Sequence, residues 1–189
     1  MKIDLPKIFE GETVTIVGGG ESLIGFNFDK IKSPSIAVNR SILVHRNATM
    51  WLFTDYSGYV RINPQIKSFK GFKITIKGRI KSLPHLHYIE LDYILPIDSA
   101  IRKANLSGFT ALAIAFYLGA EKVYLFGYDG GYKDQSNFDM DNKNIISKNY
   151  EQKNYLYDIF KGYNVINVGM NSKINAFPKI ELKGFKYQS

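Results

Sequence analysis

The feature that most constrains this chain lies at residues 107–132, which read S-G-F-T-A-L-A-I-A-F-Y-L-G-A-E-K-V-Y-L-F-G-Y-D-G-G-Y. Phe109, Leu112, Ala113 and Phe116 recur at i, i+3, i+4 and i+7, while Ala111, Ile114, Ala115 and Leu118 fill the other faces. That pattern predicts a helix buried nearly all round, which needs a layer of structure on every side. Ser107 is placed as its N-cap and Gly119 as its left-handed stop, and residues 122–126 read as a buried strand. In a parallel sheet such a strand ends at the ligand-binding edge, and here it runs into Gly127-Tyr128-Asp129-Gly130-Gly131-Tyr132. Those six residues form the first candidate site.

The same grammar recurs along the chain. Residues 13–17 read as a strand ending in Gly18-Gly19-Gly20-Glu21-Ser22-Leu23. A glycine run after a buried strand lets the backbone turn sharply and come close to a ligand. The spacing is not that of the dinucleotide fingerprint, since Gly18, Gly20 and Leu23 occupy its three positions, and a glycine turn needed only for packing is the competing reading. Residues 35–38 form a second strand followed by Asn39-Arg40, and residues 49–53 a third followed by Thr54-Asp55. Each strand thus ends in polar groups able to bond sugar, base or phosphate, although such residues also serve as caps and turn formers. A short helix is expected over 55–62 and a break at Pro64.

Residues 56–98 are less regular, and a substrate-facing flap or insertion is expected there. Within them, 72–76 alternates like a half-exposed strand and 87–91 is a further strand candidate. His85 and His87 alternate across that run, so only one could face a site, and structural or surface roles are favoured over catalysis; His45 is no better placed. Residues 133–142 read as a polar loop containing Asp139-Met140-Asp141, the D-x-D form that holds a divalent ion in many glycosyltransferases; no metal ligand is assigned to it. A helix over 145–161, a strand over 164–168 and an ordered loop over 169–178 complete the chain. The expected fold is a single α/β Rossmann-like domain over residues 1–189, with a largely parallel sheet flanked by helices.

Composition narrows the context. The longest apolar run, within 108–120, is interrupted by Gly, Thr and Tyr and falls short of the roughly 20 residues of a membrane span. The first residues lack the apolar core of a signal peptide and there is no cysteine, so a cytoplasmic protein is expected. The net charge of +8 admits a nucleic-acid partner. That partner is not favoured, because the basic residues are scattered and the denser groups at 67–81 and 179–186 read as solvated strand faces.

The ordered set of a strand, a Gly-rich loop with Glu-Ser-Leu, a strand ending Ala-Val-Asn-Arg, and Ser-Gly-x-x-Ala-x-x-x-Ala before a strand ending Gly-Tyr-Asp carries a resemblance. It resembles the sialyltransferases of glycosyltransferase family 42 and the related Rossmann-like family of MptE-like 6-hydroxymethylpterin diphosphokinases. The resemblance is weakest over 56–98, and the ending Asn171-Ser172 with Phe177 belongs to it. In the sialyltransferases the matching positions surround a cytidine-monophosphate sugar donor. The resemblance therefore implies Gly18, Gly20, Ser22, Asn39, Ser107, Gly108, Gly127 and Asp129 as donor-binding positions. Gly19, Arg40, Thr54 and Tyr132 join them from the reading of the loops. The family's downstream histidine base has no counterpart, since no histidine follows His87. Ala104 stands where the family has an arginine, and Tyr132 is one residue off the family's tyrosine.

The leading expectation is a transferase that uses a nucleotide-activated donor, with a CMP-sugar favoured, and delivers it to an unknown acceptor hydroxyl. Leaving-phosphate charge would be met by N–H groups at residues 107–109. Asp129 is the candidate base by position; it is equally placed to accept loop N–H groups as a structural partner. Two alternatives stand beside this: a Mg²⁺-dependent pyrophosphokinase using carboxylates such as Asp55, Asp129 and Asp141, and a nucleotide-binding protein without activity.

Overall fold

A computed structural model describes residues 7–54, 56–76, 87–89, 106–130, 151–183 and 185–186. The protein is an α/β fold built on one eight-stranded sheet in the order β5-β4-β3-β2-β1-β6-β7-β8, with every adjacent pair parallel. The strands are β1 (Thr13–Val17), β2 (Ser35–Val38), β3 (Met50–Leu52), β4 (Phe72–Ile76), β5 (His87–Ile89), β6 (Lys122–Phe126), β7 (Val165–Val168) and β8 (Lys179–Ile180). The first five strands build outward from β1 in one direction, and the chain then returns to add β6 on the other side of β1. The order therefore reverses between β1 and β6, which in open parallel sheets is where a ligand crevice opens.

Side chains alternate across the sheet, as strand geometry requires. Val14, Ile16, Ile36, Val38, Met50, Leu52, Val123 and Leu125 face one layer, and that layer is filled by helix α2 (Ser107–Tyr117). Every residue of α2 from Phe109 to Ala115 is buried, and Gly119 closes it at φ +97°. The other face is covered in two parts. Helix α1 (Tyr56–Ile62) and 3-10 turns pack Ile62 and Ile66 under Ala37, Trp51 and Phe53, with Tyr59 stacked 5.7 Å from Trp51. Phe26, Phe28, Leu182 and Phe185 cover Val17, Tyr124 and Phe126. Among the described residues no helix is long and apolar enough to cross a membrane.

Several expectations change. The strand over 72–76 is not half-exposed: Ile74, Thr75 and Ile76 are all buried, because β4 lies inside the sheet between β3 and β5. Within 56–98 the described residues supply helix Tyr56–Ile62, a 3-10 turn Asn63–Ile66 and strands β4 and β5, while 77–86 and 90–98 lie outside the described residues. The helix expected over 145–161 appears as 3-10 turns over Glu151–Phe160, with 145–150 outside the described residues. A repeat of three suits that segment, since it brings Asn154, Tyr157 and Phe160 onto one inward face. The stretch at 179–186, read as a solvated strand face, supplies only the two-residue edge strand β8, which pairs with the end of β7 after the loop at 169–178.

Candidate functional site

Register aligns the strand ends. Val17 lies beside Ala37 and Phe126, Val38 beside Leu52, and Phe126 beside Val168. The segments that follow Val17, Val38, Leu52 and Phe126 therefore emerge on one edge of the sheet, together with the amino end of α2.

On the β1–β6 side the two loops are locked together. Gly18 N–H donates to Phe126 O at 2.7 Å and Gly20 N–H to Gly127 O at 2.9 Å. Asp129 then grips Ser22: the Ser22 N–H donates to Oδ2 at 2.9 Å and its hydroxyl to Oδ1 at 2.6 Å. Bonds to an ionised carboxylate contribute about 1.5–3 kcal/mol each, so this pair is a strong fastening for the glycine loop. Gly20 is glycine for this contact, because a Cβ there would sit 2.5 Å from Asp129 Oδ2 and 2.6 Å from Gly127 O. Gly127 turns at φ +67°, with Gly20 N 3.0 Å from where its Cβ would be. Gly19 lies half-buried between Gly18 and Gly20.

On the β2–β3 side, three hydroxyl and amide groups meet at the amino end of α2. Asn39 Nδ2 donates to Ser107 Oγ at 3.0 Å, and Thr54 Oγ1 lies 2.6 Å from the same oxygen. Asn39 is the one non-glycine residue with positive φ among the described residues, at 53°, and its buried Oδ1 has no partner. Its carbonyl accepts from Trp51 Nε1 at 2.8 Å, which fixes the residue in this unfavourable conformation. Arg40 follows in the same 3-10 turn, half-buried.

Ser107 is not the N-cap. It is the first residue of α2, Leu106 occupies the cap position, and among the described residues no side chain caps the helix. The Ser107 hydroxyl is instead turned to Asn39 and Thr54. The amino end of α2 thus keeps N–H groups without an intrahelical acceptor, the first such bond running from Thr110 to Leu106 O. Anionic oxygen is the natural partner for such groups.

A brace that sequence reading missed holds the β6 loop from below. Tyr128 O accepts from Asn167 Nδ2 at 3.0 Å and from Ser172 Oγ at 2.6 Å. Asp129 O accepts from Lys173 N at 2.7 Å, and Gly130 O accepts from Asn154 Nδ2. Lys179 Nζ donates to Ser172 O at 2.6 Å, so this lysine is a tether of the loop rather than part of a solvated face. The signals were a polar residue inside Val-Ile-Asn-Val and the Asn-Ser pair that follows.

Of the site residues read from sequence, Gly18, Gly19, Gly20, Ser22, Gly127 and Asp129 gather on the β1–β6 side, and Asn39, Thr54 and Ser107 on the β2–β3 side. Gly108 lies between them, its carbonyl accepting from Tyr128 Oη at 3.0 Å. Tyr132, Asp55, Asp139 and Asp141 lie outside the described residues, and the side chain of His87 does too. No group of three or more His, Asp or Glu able to hold a metal occurs among the described residues. His45 packs at the start of β2, its Nε2 2.7 Å from Ser35 Oγ, and burial lowers its pKa from 6.5 to about 4.

No family profile matches the chain, and no curated protein matches it in sequence. Solved structures do match. The monofunctional alpha-2,3-sialyltransferase Cst-I from Campylobacter jejuni superposes with a TM-score of 0.63 at 15% identity, over 94% of this chain and 83% of that one. The sialyltransferase CstII from Campylobacter jejuni, in complex with the substrate analogue cytidine-5'-monophosphate, gives 0.62 at 15% identity over 90% and 85%. A complex of CST-II with a trisaccharide acceptor and CMP gives 0.60 at 15% identity over 89% and 86%. The chain thus shares the sialyltransferase fold across most of its length.

Proposed function

We propose that this chain is a transferase that binds a nucleotide-activated donor in the crevice between β1 and β6, most simply a CMP-sugar, and passes the sugar to an acceptor hydroxyl. The observation that carries this reading is the meeting of Asn39, Thr54 and Ser107 at the uncapped amino end of α2, beside the topological switch. Whichever way the Thr54–Ser107 bond is directed, one hydroxyl proton of the pair is left to donate outward, because the two hydroxyls carry two protons and the bond between them uses one. That proton and the N–H groups at residues 107–109 suit a phosphate whose charge grows as the glycosyl bond breaks. Support also comes from the shared fold, whose solved examples include CMP complexes.

Asp129 has two roles in this scheme. It fastens the glycine loop through Ser22, and each of its oxygens retains a lone pair beyond the one Ser22 uses, so the carboxylate can take the acceptor proton. The test is CMP release from CMP-sugar donors, with and without an oligosaccharide acceptor and with and without Mg²⁺. Metal-independent release that rises with acceptor supports the proposal. Turnover confined to nucleoside triphosphate with Mg²⁺ would move the chain to pyrophosphoryl transfer.

A further inference from the structure

Tyr128 sits between the two halves of the site and touches both. The residue is 5% exposed. On one side Cε1 lies 2.9 Å from where a Cβ on Gly108 would be, and on the other Cδ2 and Cε2 lie 3.2 Å from where a Cβ on Gly18 would be. The ring is therefore wedged between the end of β1 and the start of α2: a Cβ on Gly108 would clash with it, whereas one on Gly18 would meet it tightly and clash first with Gly127 O at 2.7 Å. Its hydroxyl donates to Gly108 O at 3.0 Å, and its own carbonyl is pinned by Asn167 and Ser172. The next residue, Asp129, is the one that grips Ser22. Tyr157, 6.3 Å away ring to ring, backs the wedge and itself packs on Phe109 of α2 and on Phe177 of the loop at 169–178.

We infer that Tyr128 is a positioning residue that sets the width of the crevice, holding the amino end of α2 at a fixed distance from the glycine loop. Without the hydroxyl, the Gly108 carbonyl is buried against an apolar ring edge and the first turn of α2 loses its tie to the β6 loop. Without the ring, the gap between Gly18 and Gly108 closes or the helix end shifts. Burial raises the phenol's pKa well above its usual value, so the group stays a donor at any physiological pH. Asn167 completes the device: it is buried inside β7, its Nδ2 holds Tyr128 O, and its Oδ1 lies 3.9 Å from the Cβ position on Gly169, itself 4.0 Å from Ser22 Oγ. The role in donor binding rests on the nucleotide reading above; the spacer role does not.

The test is residue-resolved amide exchange on the ligand-free protein, comparing wild type with Tyr128→Phe and Tyr128→Leu. The reporters are Thr110 N–H on Leu106 O, Gly20 N–H on Gly127 O and Ser22 N–H on Asp129, with Val123 N–H on Asn164 O as the measure of global stability. Tyr128→Phe is expected to speed exchange at Thr110, Gly20 and Ser22 by about tenfold more than at Val123, since local opening is freed without global unfolding. Acceleration equal at all four sites, or none at Thr110, overturns the inference, as it marks an ordinary core residue. Calorimetry with CMP adds the second arm: the dissociation constant is expected to rise about tenfold in Tyr128→Phe, and an unchanged constant beside locally accelerated exchange also overturns the positioning role. If wild type binds no CMP, the nucleotide reading fails alone and the exchange comparison still decides the spacer role. Should Tyr128→Leu fail to fold, the near-isosteric Tyr128→Phe carries the comparison.

Discussion

Both carboxylate oxygens of Asp129 are taken up by Ser22, one by its N–H at 2.9 Å and one by its hydroxyl at 2.6 Å, across 107 residues of sequence. This joins the loops after β1 and β6, which flank the switch in strand order. Asp129→Asn should therefore act on architecture as well as chemistry. The variant is expected to lose on the order of 1–3 kcal/mol in denaturant unfolding, from the weakened bonds to Ser22. Any sugar transfer should fall by about 10²–10⁴, the usual loss of a base. Ser22→Ala separates the two effects: it should show a comparable stability loss but retain most of the turnover. Equal turnover in the two variants would reduce Asp129 to a fastening.

In sequence, Gly20 reads as part of a glycine run that lets the backbone come close to a ligand. The structure shows its hydrogen side facing Asp129 and Gly127, so the contact it protects is internal. Gly20→Ala should lower unfolding free energy by about 1–3 kcal/mol, as overpacked sites do, before any nucleotide is added. An unchanged ligand-free melting temperature would contradict the described contact.

Asn39 offers a test free of any ligand. At φ 53° a side chain is strained, and asparagine tolerates the region better than alanine does. Asn39→Gly is expected to be more stable than Asn39→Ala by about 1 kcal/mol in urea titrations, and both should bind CMP weakly because the amide is gone. The reverse order of stabilities would mean that the left-handed turn is not present.

His45 governs an acid limb of stability. Its folded pKa of about 4 lies below the unfolded value of 6.5, because burial disfavours the charged ring while Asp29 acts in the opposite direction. The unfolded chain takes up the proton first. The contribution is thus complete above pH 6.5 and is lost progressively as pH falls toward 4, on the order of 3 kcal/mol in all. Around the ring stand Phe28, stacked at 5.9 Å, and the Ser35 hydroxyl, which His45→Gln can still bond. Unfolding free energies measured between pH 7 and 4 should fall less steeply in His45→Gln; identical slopes would contradict the buried neutral histidine.

The scaffold was legible where periodicity was strong. The bounds of β1, β2 and β6 and the buried helix α2 followed from apolar runs closed by glycine or polar residues. The α/β class followed from their order. The glycine loop, Asn39, Thr54 and Asp129 were legible as strand-end residues, although not the contacts between them. Ser107 was misplaced as a cap because sequence shows a serine before an apolar run and cannot show Asn39 and Thr54 competing for its hydroxyl. Residues 72–76 alternate polar and apolar, yet the strand is interior, and the polar Thr75 is buried with no partner for its hydroxyl among the described residues. Tyr128 looked like one more residue of a loop. Its role depends on Gly18 and Gly108 arriving from 110 and 20 positions away, and no local pattern carries that information.

The most direct test of the account is calorimetric titration of CMP into the metal-free protein, set beside Thr54→Val and Ser107→Ala. Backbone donors at the amino end of α2 and the cluster of Asn39, Thr54 and Ser107 require no cation to bind phosphate. The account predicts saturable one-to-one binding by wild type in chelator, weakened about tenfold in each variant and retained at similar strength when Mg²⁺ is added. No binding of CMP by the folded wild-type protein, or binding left untouched by both substitutions, would contradict it.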